Sequence, residues 1–113
     1  MRWYLRSKIH MATVTEAKVE YEGSIEIDED LLDRSGLHPG EKVLLCDMDN
    51  GERLETYVLV GPRGSGRVAT NGPAALRILK GHRIIVMGFE LSDTQVTPTR
   101  VLVDAHNRFL REM

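Results

Sequence analysis

The sequence has one cysteine and no long apolar run, and each shortage excludes a class of protein. Cys46 is alone among the 113 residues, so an internal disulfide and a cysteine-rich zinc cluster are both excluded. The four histidines lack the spacing of metal ligands and have no cysteine partner nearby. We therefore predict no bound metal.

An excess of charge of one sign is missing as well. The chain carries 15 Lys and Arg against 17 Asp and Glu, interspersed, for a net charge of −2. This balance argues against a basic face for nucleic acid or for a membrane surface. Charges begin too early at the N-terminus for the apolar core of a signal peptide, and no run reaches membrane-spanning length. These absences predict a cytoplasmic protein without nucleic-acid or membrane partners.

The length permits one small domain, predicted over residues 1–113. Short β-patterned segments separated by turn residues dominate it, so the predicted fold class is mainly β. Strands are predicted over residues 3–11, 12–21, 25–28, 42–48, 53–60, 67–70, 82–91 and 99–103. Asn50-Gly51 predicts a hairpin turn. The glycine-rich stretch 61–66 lacks the ending of a phosphate loop and is interpreted as another hairpin connection.

Two short helices are predicted between these strands. The first spans residues 29–35, with Asp28 as its N-cap and Gly36 just after its end. The second runs from Asn71 to about Leu79, with Pro73 at its first helical position. After each helix a glycine leads into a basic and then aliphatic strand, which suggests two related units closed into one barrel. Residues 105–113 are predicted to be a tail that frays or forms a helix.

The turn Tyr21-Glu22-Gly23-Ser24 has the most distinctive chemistry in the chain. A serine hydroxyl can attack the preceding carbonyl, and a glycine there has no Cβ to block the attack and tolerates a strained turn. The resulting ester can eliminate, which would break the Gly23–Ser24 bond and turn Ser24 into a pyruvoyl group. An ordinary turn ahead of a strand is the alternative interpretation, because Gly-Ser is a common dipeptide.

Three further groups of residues are candidates for a site. Arg53 and Tyr57 share one face of a strand, and so do Lys8 and His10 on another strand. Solvated surface side chains are the alternative in both cases. The free backbone N–H groups at the start of the second helix, near Asn71, form a possible binding site for a carboxylate or phosphate. An ordinary helix start without a ligand is the alternative.

The order and spacing of several short segments resemble the aspartate 1-decarboxylase family, over about residues 1–103. The segments are Lys8-Ile9-His10, Tyr21-Glu22-Gly23-Ser24, Ile27-Asp28, Asn50-Gly51 with Arg53, Thr56-Tyr57, and Asn71-Gly72 leading into Ala74-Ala75. The resemblance implies a double-psi β-barrel with short helices that assembles as a homotetramer with sites between subunits. It also implies pyruvoyl-dependent decarboxylation of L-aspartate at C1 to β-alanine and CO₂, in pantothenate biosynthesis.

The resemblance also assigns roles to individual residues. The chain would cleave itself into residues 1–23 and 24–113, and Ser24 would become the covalent pyruvoyl cofactor, with no metal and no PLP. That ketone would form a Schiff base with the amine of aspartate, and Tyr57 would return a proton to the carbon that loses CO₂. Substrate binding would fall to Thr56, Arg53, Lys8, Gly72, Pro73 and Ala74, with His10, Tyr21 and Asn71 in support. Thr56 would also polarise the Gly23 carbonyl during cleavage.

Two points in the sequence complicate this assignment. Pro73 stands where the family more often has alanine, and it offers no N–H to a substrate. Thr56 and Tyr57 are adjacent, so a regular strand points them to opposite faces; we predict that Tyr57 crosses a subunit boundary or sits beside a bulge. Whether cleavage needs a helper protein is left open.

Two other functions are compatible with a small barrel of this composition. A dimeric regulator could bind nucleic acid through swapped hairpins, although the net charge of −2 argues against it. A module of a larger enzyme is the other alternative.

Overall fold

The computed structural model describes all residues from Met1 to Met113 and is built mainly from nine strands. The strands are β1 (Arg2–Thr13), β2 (Glu16–Lys18), β3 (Ile25–Asp28), β4 (Lys42–Asp47), β5 (Arg53–Gly61), β6 (Val68–Asn71), β7 (Arg83–Ser92), β8 (Thr99–Val103) and β9 (Phe109–Glu112). One α-helix, α1 (Glu29–Ser35), follows β3, and a 3₁₀ helix, Gly72–Leu76, follows β6. The predicted mainly-β class is confirmed. Neither helical segment has the length and apolar character that a membrane crossing requires.

The strands form one mixed sheet in the order β2-β6-β3-β5-β4-β7-β1-β8-β9. Three of its pairs are parallel, namely β1–β8, β2–β6 and β3–β5, and the others are antiparallel. This arrangement is consistent with a small β-barrel. The double-psi crossing stays a prediction.

Alternation along the strands decides which side chains enter the core. In β3, Ile25 and Ile27 are fully buried while Glu26 between them is half-buried, as a two-residue period requires. The core cluster gathers buried Ile, Val and Leu side chains from β1, β3, β4, β5, β6, β7, β8 and α1, among them Ile9, Ile84 and Val101. The site described below is therefore attached to strands that the core holds on one face.

The first predicted helix is confirmed together with its caps. Asp28 caps α1 by accepting a hydrogen bond from the Asp30 N–H at 2.9 Å, and Gly36 ends it in the left-handed conformation at φ 78°. The Asp28 carboxylate also accepts hydrogen bonds from the N–H groups of Gly64 and Gly66, in the loop after β5. One buried carboxylate thus joins β3, α1 and that loop.

Four local predictions are wrong. Residues 12–21 do not form one strand: β1 runs on to Thr13, and only Glu16–Lys18 pairs again, with β6. The 61–66 loop does not close a hairpin, because β3 lies between β5 and β6 in the sheet. The second helix is only a 3₁₀ turn that ends at Leu76.

The fourth error concerns the C-terminal tail, which is strand β9 rather than a frayed or helical segment. Two contacts that the sequence pattern does not reveal hold it in place. The buried Asn107 side chain bonds both the N–H and the C=O of Thr13, and the Arg34 guanidinium lies 4.0 Å from the Phe109 ring centroid.

Candidate active site

The Gly23–Ser24 peptide bond lies in a strained turn just before β3. Gly23 has φ 135° and Ser24 has φ 99°. Glycine tolerates such values, but a residue with a Cβ in this region of φ carries strain of about 1–3 kcal/mol unless its surroundings enforce it. Ser24 is fully buried, with 0% of its surface exposed. The predicted turn is therefore present, and its strain falls on the serine itself.

Asn71 is the residue that holds Ser24 in this conformation. Its backbone N–H donates to the Ser24 carbonyl at 3.0 Å, and its side-chain Nδ2 donates to Ser24 Oγ at 3.0 Å. Antiparallel pairing of β3 with β6 brings the two residues together, because Ile25 lies opposite Thr70. Since the hydroxyl oxygen accepts from Nδ2, its own hydrogen is free to be donated to another group.

The Asn71 side chain also carries an unused acceptor. Asn71 is only 3% exposed, and its buried Oδ1 has no hydrogen-bond partner. Buried polar atoms are usually paired, and an orphan one often marks a place where a further group belongs. The unpaired Asn71 Oδ1 is therefore positioned to accept a hydrogen bond from a donor group beside Ser24.

Tyr57 and Gly23 line the same cleft in one chain. The cleft has a volume of about 530 Å³, and its walls are Tyr21, Glu22, Gly23, Glu26, Tyr57, Leu59, Val60 and Asn71. Parallel pairing of Ile25 with Val58 sets the preceding residues, Ser24 and Tyr57, at the same end of the β3–β5 pair. Tyr57 is 41% exposed and so can reach a molecule in the cleft.

Thr56 faces away from Tyr57, as strand alternation requires. It is half-buried and lies opposite Val43 in the β4–β5 pair. None of the side-chain hydrogen bonds joins it to the Gly23–Ser24 bond. The β4–β5 register is unbroken from Arg53 to Tyr57, so the predicted bulge beside Tyr57 is absent. Within one chain, Tyr57 enters the cleft without such a distortion.

The predicted cations lie elsewhere in the chain. Arg53 belongs to a separate groove of about 870 Å³, shared with Trp3 and Phe89 among others. Lys8 lies on β1, opposite Met87 of β7 and Arg100 of β8. Neither side chain lines the cleft beside Gly23. A single chain therefore brings together Tyr21, Gly23, Ser24, Tyr57, Asn71 and Gly72, but not these cations.

His10 lies near the positive charges of Lys8 and Arg83 and does not line the cleft beside Gly23. Burial lowers the pKa of His10, and the positive charges of Lys8 and Arg83 lower it further. The ring is therefore neutral at neutral pH. Its Nδ1 is buried without a hydrogen-bond partner, so it too has an unused capacity that a further group can satisfy.

The segment after Asn71 packs against the Gly23–Ser24 turn, because Gly72 lies against the backbone of Tyr21 and Gly23. Gly72 is buried with φ 68°, Ala74 is buried, and Pro73 is exposed at the start of the 3₁₀ helix. Tyr21 is exposed, and the Lys18 ammonium lies 4.7 Å from the centroid of its ring. Of the N–H donors predicted at this entry, that of Asn71 already donates to the Ser24 carbonyl.

Glu26 is a cleft residue that the sequence-based assignment missed. The alternation Ile25-Glu26-Ile27 indicated that it points away from the core, but not that this face of β3 borders the cleft. Arg67 forms ion pairs with its carboxylate, at 2.8 Å, and with that of Glu16, at 2.9 Å. The partial neutralisation by Arg67 lowers the negative charge that an anionic substrate would meet.

The fold also brings together three potential metal-ligating side chains that the spacing of the histidines did not indicate. Ligand atoms of Asp47, Asp49 and His82 lie within 4.8 Å of one another. These side chains already bond within the chain: Asp47 Oδ2 lies 2.6 Å from His82 Nδ1, and Asp49 Oδ2 accepts the Arg83 N–H. Such bonds stabilise the β4–β7 end of the sheet, outside the cleft.

Comparison with known proteins places these features in context. A family model described as aspartate decarboxylase matches residues 1–110. An aspartate 1-decarboxylase of Thermotoga sp. (strain RQ2) is 49% identical over 109 residues, which cover 96% of each chain. One from Neisseria meningitidis serogroup C is 49% identical over 95% of this chain and 87% of its own. One from Fervidobacterium nodosum is 48% identical, over 95% and 94% respectively.

Proposed function

The chain belongs to the aspartate decarboxylase family and is an enzyme of the carboxy-lyase class; from this premise we propose that it decarboxylates L-aspartate at C1. The products would be β-alanine and CO₂, and the reaction would serve pantothenate biosynthesis. The cofactor would be a pyruvoyl group made from Ser24 by cleavage of its own chain. The observation that carries this proposal is the strained, buried Ser24 with Asn71 on its hydroxyl and Tyr57 in the adjoining cleft.

Cleavage would begin at the Ser24 hydroxyl. Oγ forms a bond to the Gly23 carbonyl carbon while the Gly23 C–N bond breaks, so the amide becomes an ester and the nitrogen becomes an amine. Loss of the Ser24 α-proton then expels the Gly23 carboxylate and leaves a dehydroalanine. Addition of water releases ammonia and leaves the ketone. Release of backbone strain at Ser24 (φ 99°) favours the first step, since the ester no longer requires that geometry.

The residues around Ser24 fit a small ketone at the new chain start. Asn71 offers a donor in Nδ2 and an orphan acceptor in Oδ1, both buried, and the cleft beside them is open to solvent on the Tyr57 side. When present, the pyruvoyl group supplies an electron sink for the pair left as CO₂ departs. The protein then has to orient the substrate and return one proton.

Tyr57 is the proposed proton source. A phenol O–H is a proton donor, and Tyr57 borders the cleft. Tyr21 also lines the cleft, but Tyr57 lies at the Ser24 end of the β3–β5 pair. Tyr57 is therefore the phenol best placed to protonate the substrate carbon.

Arg53 and Lys8 are proposed to bind the two substrate carboxylates from a neighbouring copy. A guanidinium pairs with a carboxylate in bidentate fashion, yet in one chain neither cation reaches the cleft. The groove around Arg53 is bordered by exposed apolar side chains, with Trp3 70% and Phe89 38% exposed. Such a surface is typical of a protein interface. We propose a homotetramer and a cytoplasmic location.

Mass spectrometry of the purified protein tests the whole proposal. Wild type should yield fragments 1–23 and 24–113, the larger one lacking a free amine, together with β-alanine from added aspartate. Ser24→Ala should stay whole and inactive, because it has no hydroxyl to attack. Ser7→Ala, which removes a buried hydroxyl on β1, should still cleave. An intact, inactive wild type after prolonged warming would contradict the proposal.

A further inference from the structure

Gly72 touches the scissile turn more closely than any side chain permits. A Cβ added there would lie 2.7 Å from the Tyr21 carbonyl oxygen, 2.8 Å from the Gly23 nitrogen and 2.9 Å from the Gly23 Cα. All three are backbone atoms, so no side-chain rotation can relieve the contact. Gly72 also has φ 68°, a conformation that glycine adopts readily and alanine does not.

Asn71 and Gly72 therefore contact the chain on both sides of the Gly23–Ser24 bond, which is the bond proposed to break. Asn71 bonds the Ser24 carbonyl and hydroxyl on the C-terminal side. Gly72 packs against the Tyr21–Gly23 backbone on the N-terminal side. Pro73 follows directly and limits the conformations open to Gly72. The turn is thus confined between β3 and the start of the 3₁₀ helix.

We propose that Gly72 is a positioning residue for cleavage of the Gly23–Ser24 bond. Because it has no Cβ, the start of the 3₁₀ helix can press on the turn and hold Gly23 at φ 135° and Ser24 at φ 99°. This conformation, once held, would favour attack of the Ser24 hydroxyl on the preceding carbonyl. The role rests on the proposed self-cleavage and adds to it a residue that acts on the hydroxyl only through the backbone of the turn.

A Gly72→Ala substitution should slow cleavage about 10- to 100-fold, since a misplacement of about 1 Å can cost 10²-fold in a reaction that depends on alignment. The variant's Cβ must displace the turn, because contacts below 3.0 Å with backbone cannot persist. The measured quantity is the rate of fragment formation alone, because the resemblance also places Gly72 among the substrate-binding residues. A purely structural defect would slow cleavage only in proportion to the stability that the variant loses in urea.

Two other glycines provide matched controls. Gly66 has φ 71°, and its added Cβ would lie 2.7 Å from the His106 carbonyl oxygen, away from the cleft. Gly81 has φ 89° and open space around its added Cβ. Gly66→Ala reproduces the strain and the backbone clash, and Gly81→Ala reproduces the strain alone. Both should cleave within about threefold of wild type, whatever stability they lose.

The experiment follows freshly purified, uncleaved chains below their unfolding temperature and measures the cleaved fraction by mass spectrometry over time. A second variant is needed in case Gly72→Ala does not fold. In it, one glycine is inserted between the exposed residues Val19 and Glu20, which lengthens the chain on the N-terminal side of the turn and relaxes its conformation. It should also cleave slowly.

Two results would overturn the role of Gly72. One is cleavage at the wild-type rate in Gly72→Ala or, if that variant does not fold, in the insertion variant. The other is slowing of all three alanine variants in proportion to their lost stability in urea. A wild type that never cleaves would overturn the self-cleavage itself, which keeps the two failures distinct.

Discussion

Replacement of Asp28 by asparagine should destabilise the protein by about 3 kcal/mol. The Asp28 carboxylate is 1% exposed and accepts N–H groups of Asp30 and Gly64 at Oδ1 and of Gly66 at Oδ2, all at 2.8–2.9 Å. In Asp28→Asn an NH₂ group would face the Gly66 N–H, leaving a buried donor unpaired at a cost of about 1–3 kcal/mol. The other two bonds would lose their charge assistance, about 0.5–1 kcal/mol each.

Urea unfolding at fixed protein concentration measures this loss. With a slope of about 1.5 kcal/mol per molar urea for a small domain, the midpoint should fall by about 2 M. Asp33→Asn serves as the control, because its carboxylate lies on α1, the helix that Asp28 caps, and pairs only with Arg63 at the surface. That control should change the free energy of unfolding by less than about 1 kcal/mol.

The pH dependence provides the refutation. Burial alone would raise the pKa of Asp28, but the N–H groups of Gly66, Asp30 and Gly64 and the charge of Arg108 outweigh it and lower the pKa below the ordinary 3.8. The stabilisation is therefore fully present above pH 3.8 and is lost as the pH falls through the folded-state pKa. The difference between wild type and Asp28→Asn should shrink over that range. Equal midpoints at pH 7, or a difference that persists unchanged down to pH 2, would refute the reasoning.

Three further predictions concern the proposed chemistry. Tyr57→Phe should still cleave but should lose about 10²- to 10⁴-fold in kcat for decarboxylation, measured as β-alanine formed, while Tyr4→Phe should leave kcat unchanged. Asn71→Ala removes one hydrogen bond to Ser24 Oγ, worth about 0.5–1.5 kcal/mol, so the rate of fragment formation should fall about 2- to 12-fold; an unchanged rate would count against the hydroxyl contact. Arg53→Ala should raise KM for aspartate at least about tenfold with cleavage unaffected, and an unchanged KM would remove Arg53 from the substrate site.

Local sequence determined the parts of this protein whose causes are local. Asp28 and Gly36 bound a helix because a side-chain acceptor and a left-handed glycine satisfy its ends wherever they occur. Asn50-Gly51 turns the chain between β4 and β5 for a similar reason. The Gly23-Ser24 turn was also visible, because a glycine before a strand with an adjacent hydroxyl needs no distant partner to be recognised.

Only the tertiary structure decided which of these pieces meet. The pairing of Ile25 with Val58 and with Thr70 joins segments more than 30 residues apart, and it alone brings Tyr57 and Asn71 to Ser24. Such pairings depend on how the whole core packs, which a two-residue period cannot report, since it shows only which face of a strand is apolar. For the same reason the sequence pattern did not place Glu26 in the cleft. Nor did it predict strand β9, which the contact of Asn107 with Thr13 helps to hold. Both contacts form only after distant strands have docked.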